Sequence, residues 1–280
     1  EHKNTKEVLP MGFVDLHVHS DASDGTFTPT QVVELAKNAG LDAIALTDHD
    51  TTAGVDEALE AAHHLNIEVI PGIEVSSSFD GTEIHILGLF VDQKDPVLAA
   101  MLEKMLENLA ADGIIFTKEE LCGNNPDTII TRAHIAHALI AKGICSNTDQ
   151  AFKKYLQYGG RYCPQKEHLT PEEVVKTLTK NGAFVALAHP FQYKFGDKKT
   201  EELIAYMAEL GMKGLEVYHS SNNKLESMKL REMASRHHLL PTGGSDFHGG
   251  NKPDISIGTG RGGLRVSSLL LDDIKRARGN

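Results

Sequence analysis

Short apolar and β-branched runs alternate along the chain with longer stretches whose apolar positions recur every three or four residues, a rhythm of strand followed by helix. Strands are predicted at Gly12–Leu16, Ala43–Thr47, Ile67–Pro71, Ile84–Phe90, Phe184–Ala188, Gly214–Tyr218 and Leu239–Gly243. The helices between them carry their own end signals. Thr28-Pro29-Thr30-Gln31 offers an N-cap hydroxyl, a proline at the first helical position and a capping-box glutamine ahead of Val32, Val33, Leu35 and Ala36. Thr170-Pro171-Glu172-Glu173 repeats the signal before Val174, Val175 and Leu178. Gly40, Gly182 and Gly211 each stand where a left-handed C-cap would end a helix before the next strand. Between Asp92 and about His168 the strand rhythm stops, and helices are expected at Pro96–Ala111, Arg132–Lys142 and Asn147–Tyr158.

This order predicts an α/β fold, a barrel or an open sheet, either of which gathers functional groups at the carboxyl ends of its strands. Residues 1–10 read as a flexible N-terminal segment, 11–91 and 169–280 as the α/β unit, and 92–168 as a mainly helical insertion. With 280 residues, 40% of them hydrophobic, the chain can bury a core without staples, and no apolar run reaches the roughly 18 residues of a membrane span. Twenty-eight Lys and Arg against 39 Asp and Glu leave a formal charge of -11, which repels duplex DNA but admits a small phosphorylated ligand wherever positive charge is supplied locally. Cys122, Cys145 and Cys163 are odd in number and lack a C-x-x-C spacing, so neither a disulfide framework nor a thiolate zinc cage is indicated. Glu1 to Pro10 contains no apolar stretch of signal-peptide type, and a cytoplasmic protein is expected.

Histidine carries the chemistry: there are 15. His17 and His19 leave the first strand on the same face. Asp24 follows in a Ser-Asp-Gly turn, His49 ends the second strand region, and Glu74 follows Pro71-Gly72-Ile73. His85 lies in Glu83-Ile84-His85, His189 in Ala188-His189-Pro190, and Asp246 and His248 in Ser245-Asp246-Phe247-His248. Nine such groups converging would be costly to bury unless they bind divalent ions, which take imidazole nitrogen and carboxylate oxygen. Nine ligands exceed what one ion needs, so two or three ions are expected, with Glu74 and Asp24 as bridging candidates. Asp15 and Asp48 are expected behind the site, orienting an imidazole or holding structure.

This ordered set, from Asp15-Leu16-His17-Val18-His19-Ser20 through Asp246-Phe247-His248, resembles the PHP (polymerase and histidinol phosphatase) family over about Phe13 to Gly249. The resemblance implies a distorted seven-stranded β/α barrel with a helical insertion over the active site and a trinuclear metal centre. It is closest to the stand-alone phosphoesterases acting on nucleotide phosphates such as 3′,5′-bisphosphates. By motif, His17, His19, Glu74 and Asp246 would hold one ion, Glu74, His85 and His189 a second, and Asp24, His49 and His248 a third. Manganese, iron, zinc and magnesium are all admitted.

Hydrolysis of a phosphate ester requires a nucleophile, neutralisation of phosphoryl charge and help for the leaving oxygen. A water shared by bridging ions would supply the nucleophile. Arg132 and His134, opening an insertion helix like a similar pair in the family, are candidates for phosphate binding and catalysis. His219, ending a strand, is a candidate for phosphate contact and for protonating the leaving oxygen. Arg161 and Lys166 are spare cations. His2, His63, His64, His168, His237 and His238 read as solvated, and Asn222 and Asn223 as caps for the next helix. Gly258-Thr259-Gly260-Arg261-Gly262-Gly263 matches neither a Walker loop nor a dinucleotide fingerprint and reads as a loop before a last strand. The expected activity is therefore metal-dependent hydrolysis of a small nucleotide phosphate monoester. Alternatives are a 5′-to-3′ exonuclease on short RNA, a histidinol-phosphate-type phosphatase, an amidohydrolase and a non-catalytic metal-binding module.

Overall fold

All seven expected strands form. They are β1 (Phe13–Val18), β2 (Ala43–Leu46), β3 (Glu68–Phe79), β4 (Thr82–Leu89), β5 (Phe184–Leu187), β6 (Gly214–His219) and β7 (Leu240–Gly244), joined by a two-residue β8 (Val266–Ser267). The structure, a computed structural model, describes residues 12–98, 100, 132–151, 154–155 and 169–279. The sheet order is β7-β6-β5-β4-β3-β2-β1-β8. The helices are α1 (Pro29–Asn38), α2 (Val55–Leu65), α3 (Arg132–Ala141), α4 (Thr148–Ala151), α5 (Pro171–Asn181), α6 (Gly196–Glu209), α7 (Lys224–Arg236) and α8 (Ser268–Ala277). Among the described residues, no helix is long and apolar enough to cross a membrane.

Two departures from the simple strand-helix rhythm shape the site. First, β3 does not stop at Pro71 but runs on to Phe79 and turns back through Asp80 and Gly81, both at positive φ, into β4. Such a two-residue loop suits the right-handed twist of a hairpin. β4 is thus antiparallel to β3 and to β5. Second, the β1–β2 register shifts between Asp15 and Val18. Val14 and Leu16 pack with Ala43, Ala45, Leu87, Leu89 and Ala186 in one core cluster, whereas Val18 joins Val32, Val33 and Ala58 beneath α1 and α2. The shift spans His17 and ends just before His19.

The outer edge of β1 closes the structure. β8 pairs antiparallel with Phe13 and Val14, and the chain beyond β7 pairs with the other end of the strand. There Asp246 N–H donates to His17 O at 2.9 Å and His19 N–H to Phe247 O at 2.9 Å. This approach requires Gly244, because a Cβ there would lie 2.4 Å from His17 Cβ. A third core cluster, including Ile73, Val75, Ile86, Leu187, Leu215 and Val217, packs under α5, α6 and α7. Each such side chain contributes roughly 1.5–3 kcal/mol on burial.

The helix ends follow the sequence. Thr28 and Thr170 form capping boxes with Gln31 and Glu173, Asn223 caps α7 with Glu226, and Gly182 caps α5 at φ 87°. Asn222 is no cap; its side chain donates to Val217 O. In the insertion, the expected helix at Arg132–Lys142 is present as α3, and that at Asn147–Tyr158 begins with α4. Most of the helix expected at Pro96–Ala111 lies outside the described residues, as do residues 1–10, Cys122, Arg161, Cys163, Lys166 and His168.

Candidate metal centre

The register of the β3–β4 hairpin sets the middle of the site. Glu74 pairs with Leu87 and Ser76 with His85, so Glu74 rises from within β3 rather than from just past a strand end, and His85 from within the adjacent β4, inside the expected Ile84–Phe90 strand. Five imidazoles face the two Glu74 oxygens. His17 Nε2, His19 Nε2 and His49 Nδ1 lie 3.1, 3.2 and 3.3 Å from Oε2; His85 Nδ1 and His189 Nε2 lie 3.1 and 2.9 Å from Oε1. Asp246 Oδ1 sits 3.6 Å from His17 Nε2, 3.5 Å from His19 Nε2 and 3.3 Å from His248 Nδ1. On the far side of His19, Asp24 faces His248 Nε2 at 3.1 Å and His49 Nε2 at 3.8 Å. All nine residues expected to bind metal are brought together.

What holds each ring decides which nitrogen faces inward. His17 Nδ1 meets Glu216 Oε1 at 2.9 Å, His85 Nε2 meets Glu83 Oε1 at 2.9 Å, and His248 Nδ1 meets the Asp246 carbonyl at 2.9 Å. In the neutral ring, each of these acceptors fixes the proton on the outward nitrogen and leaves the lone pair on the inward one, the arrangement of metal-ligating histidines. Glu216 is fully buried and uses both oxygens, since Oε2 accepts His189 N–H at 2.7 Å. The sequence reading passed over it inside Leu215-Glu216-Val217; a charged residue in an apolar strand was the available signal.

Asp15 and Asp48 do structural work and orient no imidazole. Asp15 accepts from Ser245 N–H and Oγ–H and from Gly258 N–H, tying β1 to the loops beyond β7. Asp48 accepts from Ser20 N–H and Oγ–H and from Ser23 Oγ–H, shaping the turn that presents Asp24. His189 and Asp246 adopt φ values of 24° and 57°, unusual for residues with a Cβ and concentrated at functional sites. Lys252, a second residue the sequence reading missed, places Nζ 2.5 Å from Asp246 Oδ2.

His219 is buried at the end of β6. Ser221 N–H donates to its Nδ1 at 3.1 Å, so the neutral ring carries its proton on Nε2, which lies 3.3 Å from Asp246 Oδ2. Arg132 and His134 lie in the first turn of α3, but their side chains lie outside the described residues.

The acids that would attract cations also attract protons. Burial would raise Glu74, yet His49, His17 and His85 hold it well below the usual carboxylate range. Burial likewise opposes charge on His85 and His19, but Glu74 and Glu83 push His85 up to about 10, and Asp246 and Glu74 push His19 up to about 9. At His49 burial wins, and the value falls to about 3.

The donor set fits divalent ions. Buried His17 Nε2, His19 Nδ1 and Nε2, His49 Nδ1 and Glu74 Oε2 lie close together yet none has a hydrogen-bond partner, because they aim at shared points rather than at one another. His17, His19, Glu74 and Asp246 form one group able to hold an ion, His19, Asp24, His49 and His248 another, and His49, Glu74 and His85 a third.

The PHP domain family matches residues 15–161. The chain belongs to that family. Similar proteins include a 5′-3′ exoribonuclease of Haemophilus influenzae, 36% identical over 244 residues, covering 84% of this chain and 89% of that one. A 3′,5′-nucleoside bisphosphate phosphatase of Chromobacterium violaceum is 34% identical over 261 residues, covering 89% of this chain and 91% of that one. A Bifidobacterium adolescentis protein of inferred metal-dependent phosphoesterase activity superposes with a TM-score of 0.74 at 30% identity, covering 96% and 97% of the two chains. The PHP barrel expected from the motifs is therefore present, with β4 reversed and β8 added.

Proposed function

We propose that this chain is a metal-dependent phosphoesterase that releases phosphate from a small nucleotide, such as a 3′,5′-bisphosphate. The observation that carries the reading is the convergence of five imidazoles on the two oxygens of buried Glu74, with the inward nitrogens of His17, His19 and His49 left without a hydrogen-bond partner. Bound divalent ions, two or three in number, would activate water and neutralise phosphoryl oxygens. His17, His19, Glu74 and Asp246 are assigned to one ion, Glu74, His85 and His189 to a second, and Asp24, His49 and His248 to a third. Manganese, iron and zinc suit this mixture of nitrogen and oxygen better than magnesium does.

The chain's own groups have separate tasks. Glu216 keeps His17 in the tautomer whose lone pair faces inward. His219, with its proton held on Nε2 by the Ser221 N–H, is suited to donate to a phosphoryl or leaving oxygen. Arg132 and His134 are assigned to the phosphate from their place at the start of α3. Purified protein with manganese is expected to release phosphate from adenosine 3′,5′-bisphosphate. No turnover across nucleotide and sugar phosphates would defeat the proposal. The identity to the Haemophilus exoribonuclease supports a second reading, trimming of short RNA. A length series of 5′-phosphorylated oligonucleotides separates them, since preference for the longer members favours the nuclease.

A further inference from the structure

The glycine-rich loop that matched no known phosphate motif packs against the turn after His219. Arg261 N–H donates to Ser220 O at 2.7 Å, and a Cβ at Gly260 would lie 2.4 Å from Ser220 Cα. Gly262 and Gly263 then adopt φ values of 71° and 76°. Between this loop and α7 opens a cavity of about 370 Å³, with His219 in its wall. Its size is in the roughly 300–1,000 Å³ range of small-ligand sites. It is therefore one residue away from Asp246 and the candidate metal centre.

Four cationic residues line it: Lys224 and Arg231, two turns apart on α7, and Arg261 and Arg265 from the loop. In a chain of net charge -11 this is a local reversal of sign. The other cations of α7 are neutralised, Lys229 by Asp197 and Arg236 by Glu201. Lys224, Arg231 and Arg261 have no ion-pair partner among the described residues, and Arg265 rests its guanidinium over the Phe13 ring, 4.9 Å from the centroid. Half-buried Tyr218 and exposed Met228 add apolar surface to the same wall. Planar guanidinium groups beside apolar side chains suit a phosphate attached to a flat base.

We propose that this cavity binds the part of a nucleotide substrate beyond the phosphate being released: a second phosphate on Arg231 and Arg261, with the base against Met228 and Tyr218. The inference rests on the phosphoesterase reading above, and it names a selectivity site for that reaction. The double variant R231Q/R261Q alters two exposed side chains outside the metal and proton-donating groups.

Its KM for adenosine 3′,5′-bisphosphate should rise about tenfold or more with kcat little changed, while KM and kcat for p-nitrophenyl phosphate, which carries one phosphate and no nucleoside, stay within about twofold. Equal effects on both substrates, or none on the nucleotide, overturn the proposal. A parallel arm with a 5′-phosphorylated dinucleotide tells whether the second phosphate is terminal or a chain diester, by which of the two substrates loses more. Wild-type protein that turns over no nucleotide would defeat the phosphoesterase reading instead. Equilibrium dialysis of adenosine 3′,5′-bisphosphate then decides the cavity alone: binding lost in the double variant supports it, and unchanged or undetectable binding overturns it.

Discussion

Replacing Glu216 by glutamine should change the chemistry of His17 without changing the volume of the site. Glu216 has two donors to satisfy, His17 Nδ1–H at 2.9 Å and His189 N–H at 2.7 Å. A glutamine offers one acceptor and one NH2 group. The backbone N–H of His189 cannot turn into an acceptor, so the amide oxygen must stay there and the NH2 must face His17. An imidazole can adapt: it accepts at Nδ1 and carries its proton on Nε2 instead. That proton would point at Glu74 Oε2 and Asp246 Oδ1, 3.1 and 3.6 Å away, and would remove the lone pair needed for a cation. Loss of such outer partners costs about 10–100-fold in metal affinity, or roughly 1.4–2.8 kcal/mol at about 1.4 kcal/mol per tenfold. The assay is a competition titration of manganese in wild type and E216Q, with long-range nitrogen NMR of the His17 ring. Affinity within about threefold of wild type, with the Nδ1-protonated tautomer retained, would refute the reasoning.

Metal affinity should rise with pH. His85 and His19, at about 10 and 9, must lose protons before they can ligate, so binding competes with protonation below those values and strengthens as pH climbs toward them; calorimetry in buffers of different ionisation heat should detect proton release on metal binding, and a pH-independent affinity would contradict this. His219→Ala should lower kcat by about 10²–10⁴ while leaving metal content unchanged, as measured by turnover and elemental analysis. Asp15→Ala strands Ser245 N–H, Ser245 Oγ–H and Gly258 N–H in buried surroundings, and should cost about 3 kcal/mol or more in urea unfolding; a loss under about 1 kcal/mol would show that the tie between β1 and the last loops is dispensable. Chelator should lower the thermal midpoint, because ions bound at a thousandfold over Kd contribute about 4 kcal/mol, and manganese should restore it.

The legible parts of the sequence were those with local causes. Capping boxes at Thr28 and Thr170 and the αL glycine at Gly182 follow from hydrogen bonding within a few residues, and they appear as expected. The histidines were legible because polar residues at the ends of apolar strands need a reason to be there. The β3–β4 hairpin was harder, since Pro71 suggested a strand end while Asp80-Gly81, a turn signal, lay nine residues later. His85 was expected inside a strand at Ile84–Phe90 and lies within β4, but with the hairpin missed the reversed direction of that strand was not foreseen. Glu216 escaped because its partners, His17 and the His189 amide, are 199 and 27 residues away. The cavity beside His219 depends on loop and helix meeting across the chain, which no short motif records.

Diffraction data collected above and below the absorption edge of manganese, from crystals grown with that metal, would test the central claim most directly. The account predicts at least two anomalous peaks, each within about 2.0–2.3 Å of imidazole nitrogens and carboxylate oxygens from the His17, His19, Glu74 and Asp246 group and its neighbours. Crystals with no anomalous density between these side chains, from protein that still hydrolyses nucleotide phosphates, would contradict it.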